Sequence, residues 1–211
     1  MKTASALLSA WSFAALALVA APALATEAAP SAAQPDLAKG QATAEVCQAC
    51  HMADGTRGAP ANPIIAGQFP EYLAKQLHDF KSGKRKNPIM EGMAAALTDE
   101  DIVNVTAFYA GKQAKPGAAK NKETVLAGER IWRGGIADRT IPACAGCHGP
   151  AGAGLPIQYP MLAGQHADYT ETQLLTFRVG ERANSAPMTG VAAKMNDAEI
   201  KAVADYIAGL R

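Results

Sequence analysis

The sequence predicts an all-α protein made of two tandem copies of one small domain. Three observations predict it. The chain repeats itself internally, its apolar residues recur at helical spacing, and nothing alternates with period two over enough residues to suggest a sheet. The repeat is explicit. An offset of 97 places Cys47, Cys50 and His51 on Cys144, Cys147 and His148. The same offset pairs Pro63 with Pro160, Gly67-Gln68 with Gly164-Gln165, and Tyr72 with Tyr169. It also pairs Gln76-Leu77 with Gln173-Leu174, Phe80 with Phe177, and Arg85 with Arg182. Beyond Arg85 the offset is 98, so Met90 falls on Met188 and Gly92 on Gly190. Two copies indicate a duplicated domain rather than a solenoid.

The helical pattern recurs within each copy. Leu73, Leu77 and Phe80 stand at i, i+4 and i+7, and Leu174 and Phe177 repeat them. Thr98 and Asn196 suit N-cap positions, with acidic residues in the turn that follows. Gly111 and Gly209 suit the ends of those helices.

In chain order, residues 1–25 read as a secretory signal peptide. Lys2 supplies the positive start, Leu7 to Ala20 is mostly apolar, and Ala23-Leu24-Ala25 is an A-x-A cleavage site. An uncleaved anchor is the weaker alternative, because the apolar stretch is short. Residues 26–36, rich in Ala and Pro, are expected to form a flexible tail. Segment 37–111 is the first domain, 112–121 a linker containing Pro and Gly, and 122–211 the second domain. No other stretch is apolar enough to span a membrane. The mature chain is expected to be periplasmic, with peripheral membrane association through partners compatible with it.

Composition narrows the function. The formal net charge is +1, which leaves no basic footprint for nucleic acid. Aromatic residues make up only 6%, so two small domains are short of core-forming side chains. A large buried cofactor would relieve that shortage.

The cysteines identify the cofactor. Four cysteines in an exported chain make a disulfide framework conceivable. Here they occur as Cys47-Gln48-Ala49-Cys50-His51 and Cys144-Ala145-Gly146-Cys147-His148. C-x-x-C-H is the attachment signature of c-type haem. Two thiols at this spacing can form thioethers with the two vinyl groups of one haem, and the adjacent imidazole is then directed at the iron. A zinc site would not explain a His after each second Cys. A thioredoxin-like site would need a βαβ setting. The expectation is two covalently attached haem c groups, with His51 and His148 as proximal ligands.

Methionine is the natural sixth ligand, because its soft thioether stabilises ferrous iron. The repeat sorts the seven methionines. Met52 matches Gly149, Met161 matches Ile64, Met93 matches Val191, and Met195 matches Leu97. Met90 and Met188 match each other, so these are the expected axial ligands. Pro88 and Pro187 stand just before them and would stiffen the ligand loop. His78 matches Leu175 and His166 matches Phe69, so both are expected to be surface or packing residues. Arg85 and Arg182 are read with equal weight as partners of haem propionates or as solvated arginines.

With both C-x-x-C-H motifs, both Met-x-Gly segments and the Gly-Gln…Tyr…Gln-Leu…Phe…Gly-x-Arg repeat, the chain resembles the cytochrome c4 family over essentially its whole mature length. Arg133-Gly134-Gly135 and Ile141-Pro142-Ala143-Cys144 resemble that family's second domain in particular. The basic segment Lys84-Arg85-Lys86-Asn87 is a departure from it. The resemblance implies two class I cytochrome c domains, each wrapped around one covalent haem, with the haems close together. It implies a periplasmic carrier of single electrons, not an enzyme, with no small-molecule substrate at the irons. Its expected partners are redox proteins such as a quinol-cytochrome c reductase and a terminal oxidase. In the wider c-type cytochrome family a proline about twelve residues beyond the proximal His offers its carbonyl to that ring. Pro63 and Pro160 hold that place here. The alternative is the di-haem cytochrome subunit of a sulfide-oxidising flavoprotein dehydrogenase. A di-haem peroxidase would need a displaceable ligand, which the matched methionines disfavour.

Overall fold

The structure is a computed structural model and describes residues 34–211. The expected signal peptide and most of the expected tail lie outside those residues. Asp36, at the end of that tail, is the N-cap of the first helix, accepting from the amides of Ala38 and Lys39.

The described residues contain no β-strand, only three isolated bridges. The first domain comprises α1 (Leu37–Ala44), α2 (Gln48–His51), α3 (Pro70–Lys81), α4 (Pro88–Ala95) and α5 (Asp99–Ala110). The second comprises α6 (Val125–Gly134), α7 (Ala145–His148), α8 (Ala167–Arg178), α9 (Ala186–Ala192) and α10 (Asp197–Gly209). In each domain the first long helix packs on the last, α1 on α5 and α6 on α10.

The crossings explain two glycines. A Cβ on Gly40 would lie 2.2 Å from the Asn104 carbonyl oxygen, and one on Gly128 would lie 2.1 Å from that of Ala202. These are backbone atoms that cannot give way, so only glycine lets the helices approach this closely. Gly40 and Gly128 are 88 positions apart, not 97. The difference is taken up before the second C-x-x-C-H, where a 3₁₀ turn at Ala137–Arg139 is closed by the Ile136–Ile141 bridge.

Thr98 and Asn196 do cap α5 and α10, each in a full capping box with Asp101 and Glu199. The glycines at the other ends act differently from expectation. Gly111 caps α5 in a right-handed conformation (φ −74°), so it supplies no left-handed turn. Gly209 is the last residue of α10, and a Cβ there would meet the Ala119 amide nitrogen at 2.8 Å. Glycine is needed there because segment 112–121 passes over it. That segment is pinned to α10, with Lys120 and Asn121 donating backbone N–H groups to the Asp205 carboxylate.

Equivalent polar residues meet where the domains face each other. Arg85 and Arg182 form an antiparallel bridge, and each is only 8% exposed. The Arg85 guanidinium lies on Phe80 and donates to Gln76, Tyr169 and Gln173. That of Arg182 lies on Phe177 and donates to Gln173, Tyr72 and Gln76. Neither arginine is solvated; each reaches across to the other domain.

Candidate haem sites

Each C-x-x-C-H motif forms one helical turn whose last residue is the histidine. The rise of that turn brings both thiols and the imidazole to one side. His51 ends α2 and His148 ends α7, and both rings are buried. The His51 Nδ1 lies 3.0 Å from the Pro63 carbonyl oxygen, and the His148 Nδ1 lies 2.9 Å from that of Pro160. A carbonyl only accepts, so Nδ1 carries the hydrogen and Nε2 keeps its lone pair. Burial holds both imidazoles below their ordinary pKa despite these hydrogen bonds, which favours the neutral form a metal ligand requires.

The residue after each histidine turns the chain sharply. Gly149 does so at φ 80°, ψ 152°, and Met52 at φ 64°, ψ 157°. This region is essentially reserved for glycine, and Met52 is 45% exposed. Met52→Gly is therefore expected to stabilise the first domain. Relief of about 1–3 kcal/mol of strain is offset in part by the flexibility of glycine in the unfolded chain, leaving a gain of about 1 kcal/mol. Urea unfolding of the haem-loaded protein checks the sign.

The sites face one cavity of about 1260 Å³ shared by the two domains. All four cysteines line it, together with His51, His148, Met90 and Met188. Burial pushes the Cys144 thiol up to about 11 and raises that of Cys47. Met90 and Met188 lie on short helices, not on loops. Each helix begins with a proline in its first turn, α4 at Pro88 and α9 at Pro187. Met93, Met161 and Met195 also face the cavity, and Met195 is part of the second domain's core. His166 is buried and His78 is exposed, as expected of packing and surface residues.

The residues fit haem. The cavity walls are mainly apolar side chains such as Leu73, Phe80, Leu174 and Phe177, with paired thiols against each imidazole. Two buried guanidiniums reach the cavity, and Asp79, bound to Lys75 and Asn184, is the buried carboxylate beside them. Buried cations need anions, and carboxylates such as haem propionates would supply them.

The purpose of Gln68, Tyr72, Gln76 and their counterparts is not legible in the sequence. The repeat displayed them, yet no chemistry in one copy explains them. In the structure they all act across the interface between the copies.

Comparison with known proteins agrees with this geometry. The cytochrome c family matches residues 37–110 and again 138–211. Cytochrome c4 of Pseudomonas aeruginosa is 44% identical over 83% of this chain and 89% of its own. A thiosulfate dehydrogenase electron acceptor of Stutzerimonas stutzeri is 42% identical over 79% of this chain and 80% of its own. The crystal structure of reduced recombinant cytochrome c4 from Pseudomonas stutzeri superposes with a TM-score of 0.80 at 40% identity. It covers 84% of this chain and 100% of that one. Two matched domains, each with its own C-x-x-C-H turn, place the chain in the cytochrome c family among the cytochromes c4, electron carriers with two covalently attached haem c groups.

Proposed function

We propose that the protein relays single electrons between redox proteins outside the cytoplasm, with His51 and Met90 as the axial pair of one haem and His148 and Met188 of the other. The observation that carries this is equivalence. Met90 and Met188 are the matched methionines of the repeat, and both lie on proline-started helices facing the shared cavity. Bound haem supplies the one-electron couple. The chain's residues do the rest. The Pro63 and Pro160 carbonyls orient the imidazoles, Met90 and Met188 would help to hold the haems through their thioether sulfurs, and apolar walls exclude water. Arg85 and Arg182 offer charge to propionates at the domain junction.

Docking is assigned to the cavity's rim. Val46 and Ile89 line it and are exposed, and Lys84 and Lys86 stand exposed beside Ile89. An apolar rim with flanking cations suits a brief encounter with an acidic redox partner. The partners expected at this rim are a quinol-cytochrome c reductase as donor and a terminal oxidase as acceptor. The likeness to a thiosulfate dehydrogenase electron acceptor favours a second reading, in which a sulfur-oxidising enzyme is the donor. Reduction by purified thiosulfate dehydrogenase with thiosulfate, set against reduction by the reductase with quinol, separates the two. Closed coordination is tested with carbon monoxide. The native reduced protein should bind it poorly, and full, fast binding would contradict the ligand assignment.

Export predicts a mature N-terminus at Thr26. Intact mass of the protein recovered from the periplasm checks this. No described helix is long and apolar enough to cross a membrane.

A further inference from the structure

Gln68 and Gln165 make the same unusual contact in opposite directions. The Gln165 side chain of the second domain binds both backbone groups of Ile64 in the first. Its Oε1 accepts from the Ile64 amide at 2.9 Å, and its Nε2 donates to the Ile64 carbonyl at 2.9 Å. The Gln68 side chain binds Met161 likewise, at 3.0 Å and 2.9 Å. The two glutamines are only 5% and 7% exposed. Each Oε1 also accepts from the next amide of its own chain segment, Phe69 or His166, which fixes the side chain before it reaches across.

The peptide units gripped are those that orient the histidines. The carbonyl of the Pro63–Ile64 peptide accepts from His51, and the N–H of the same peptide donates to Gln165. The Pro160–Met161 peptide stands between His148 and Gln68 in the same way. A peptide that donates through its N–H becomes a better acceptor at its oxygen, because hydrogen bonds in a chain polarise one another. A stronger acceptor at Nδ1–H makes the imidazole a more basic ligand, which favours ferric iron.

We propose that each domain sets the reduction potential of the other domain's haem through this glutamine–peptide–histidine relay, with Gln165 lowering the potential at His51 and Gln68 lowering it at His148. The proposal rests on the assignment of His51 and His148 as iron ligands. Gln68 and Gln165 are positioning residues: neither carries a ligand atom for the iron, and each acts through a peptide of the other copy. Interface adhesion alone would not require the amide to grip the peptide next to the proline, nor to do so in both directions.

The test is a redox titration of the haem-loaded protein, followed by NMR so that each haem is read separately. Gln165→Leu keeps the volume and removes both hydrogen bonds. It should shift the reduction equilibrium of the haem on Cys47 and Cys50 about three- to tenfold towards the ferrous state, tenfold being about 59 mV for one electron. The haem on Cys144 and Cys147 should move less than about twofold, although Gln165 belongs to that domain. Gln68→Leu should give the mirror image. Gln165→Asn, which keeps an amide but falls short of Ile64, should shift the same haem in the same direction and serves if the leucine variant fails to fold. Equal shifts of both haems, a shift confined to the glutamine's own domain, or no shift would overturn the relay. The native spectrum separates this failure from that of the ligand assignment. Without a low-spin, six-coordinate spectrum the assignment falls and the relay with it. With that spectrum present and the potentials unmoved, the relay alone falls.

Discussion

Met90→Ala should abolish the near-infrared sulfur-to-iron absorption of one haem, and Met188→Ala that of the other. Each variant should lower the potential of the affected haem, because a thioether that stabilises ferrous iron is lost. Each should also bind carbon monoxide or cyanide at the opened position. Met93 and Met195 are the competitors, since both face the cavity. Their counterparts are Val191 and Leu97, which cannot ligate iron, so two equivalent haems would need ligands from unequal positions. Met93→Ala and Met195→Ala should leave both absorptions intact. Met195 is buried in the second domain's core, and its truncation should cost about 2–5 kcal/mol of stability. Met93 is only half-buried and should cost less.

Replacing Cys47, Cys50 and His51 together should leave the first domain largely unfolded while the second stays helical. The reason is an asymmetry in the cores. The second domain has a connected cluster of buried residues that includes Trp132, Leu174, Phe177, Ile200 and Ile207. The corresponding cluster in the first domain is Ala44, Val105 and Tyr109, with Phe80 and Ile102 buried outside it. A small domain with so thin a core depends on its ligand to complete it. Loss of about half the helical circular dichroism is expected, with amide exchange protection lost in α1 and α5 and kept in α6 and α10. A fully protected first domain would contradict the account.

The two C-x-x-C-H attachment turns were legible in the sequence as motifs, and the two copies allow every other residue to be compared with its counterpart. That comparison singled out Met90 and Met188 as the expected ligands and set His78 and His166 aside as surface or packing residues. It failed wherever the copies differ in length. Helices α1 and α6 pack alike around Gly40 and Gly128, yet the insertion before Cys144 shifts their register, so neither was anticipated. Nor could comparison reveal contacts between the copies. Arg85 seen alone is either solvated or a haem partner. Only packing shows it buried against Phe80 and bonded to Tyr169 of the other domain. Gln68 and Gln165 were visible as repeated residues, but their partners are backbone groups about a hundred positions away. No local pattern encodes such a pairing.

Two closed His–Met haems, each carrying one electron, are the core of the proposed function. An optical redox titration of the native protein, followed from the visible into the near-infrared, tests it most directly. Two one-electron components are expected, together accounting for two haems per chain, with a sulfur-to-iron absorption that bleaches on reduction in step with both. A single component corresponding to one haem, or a haem that titrates without losing such an absorption, would contradict it.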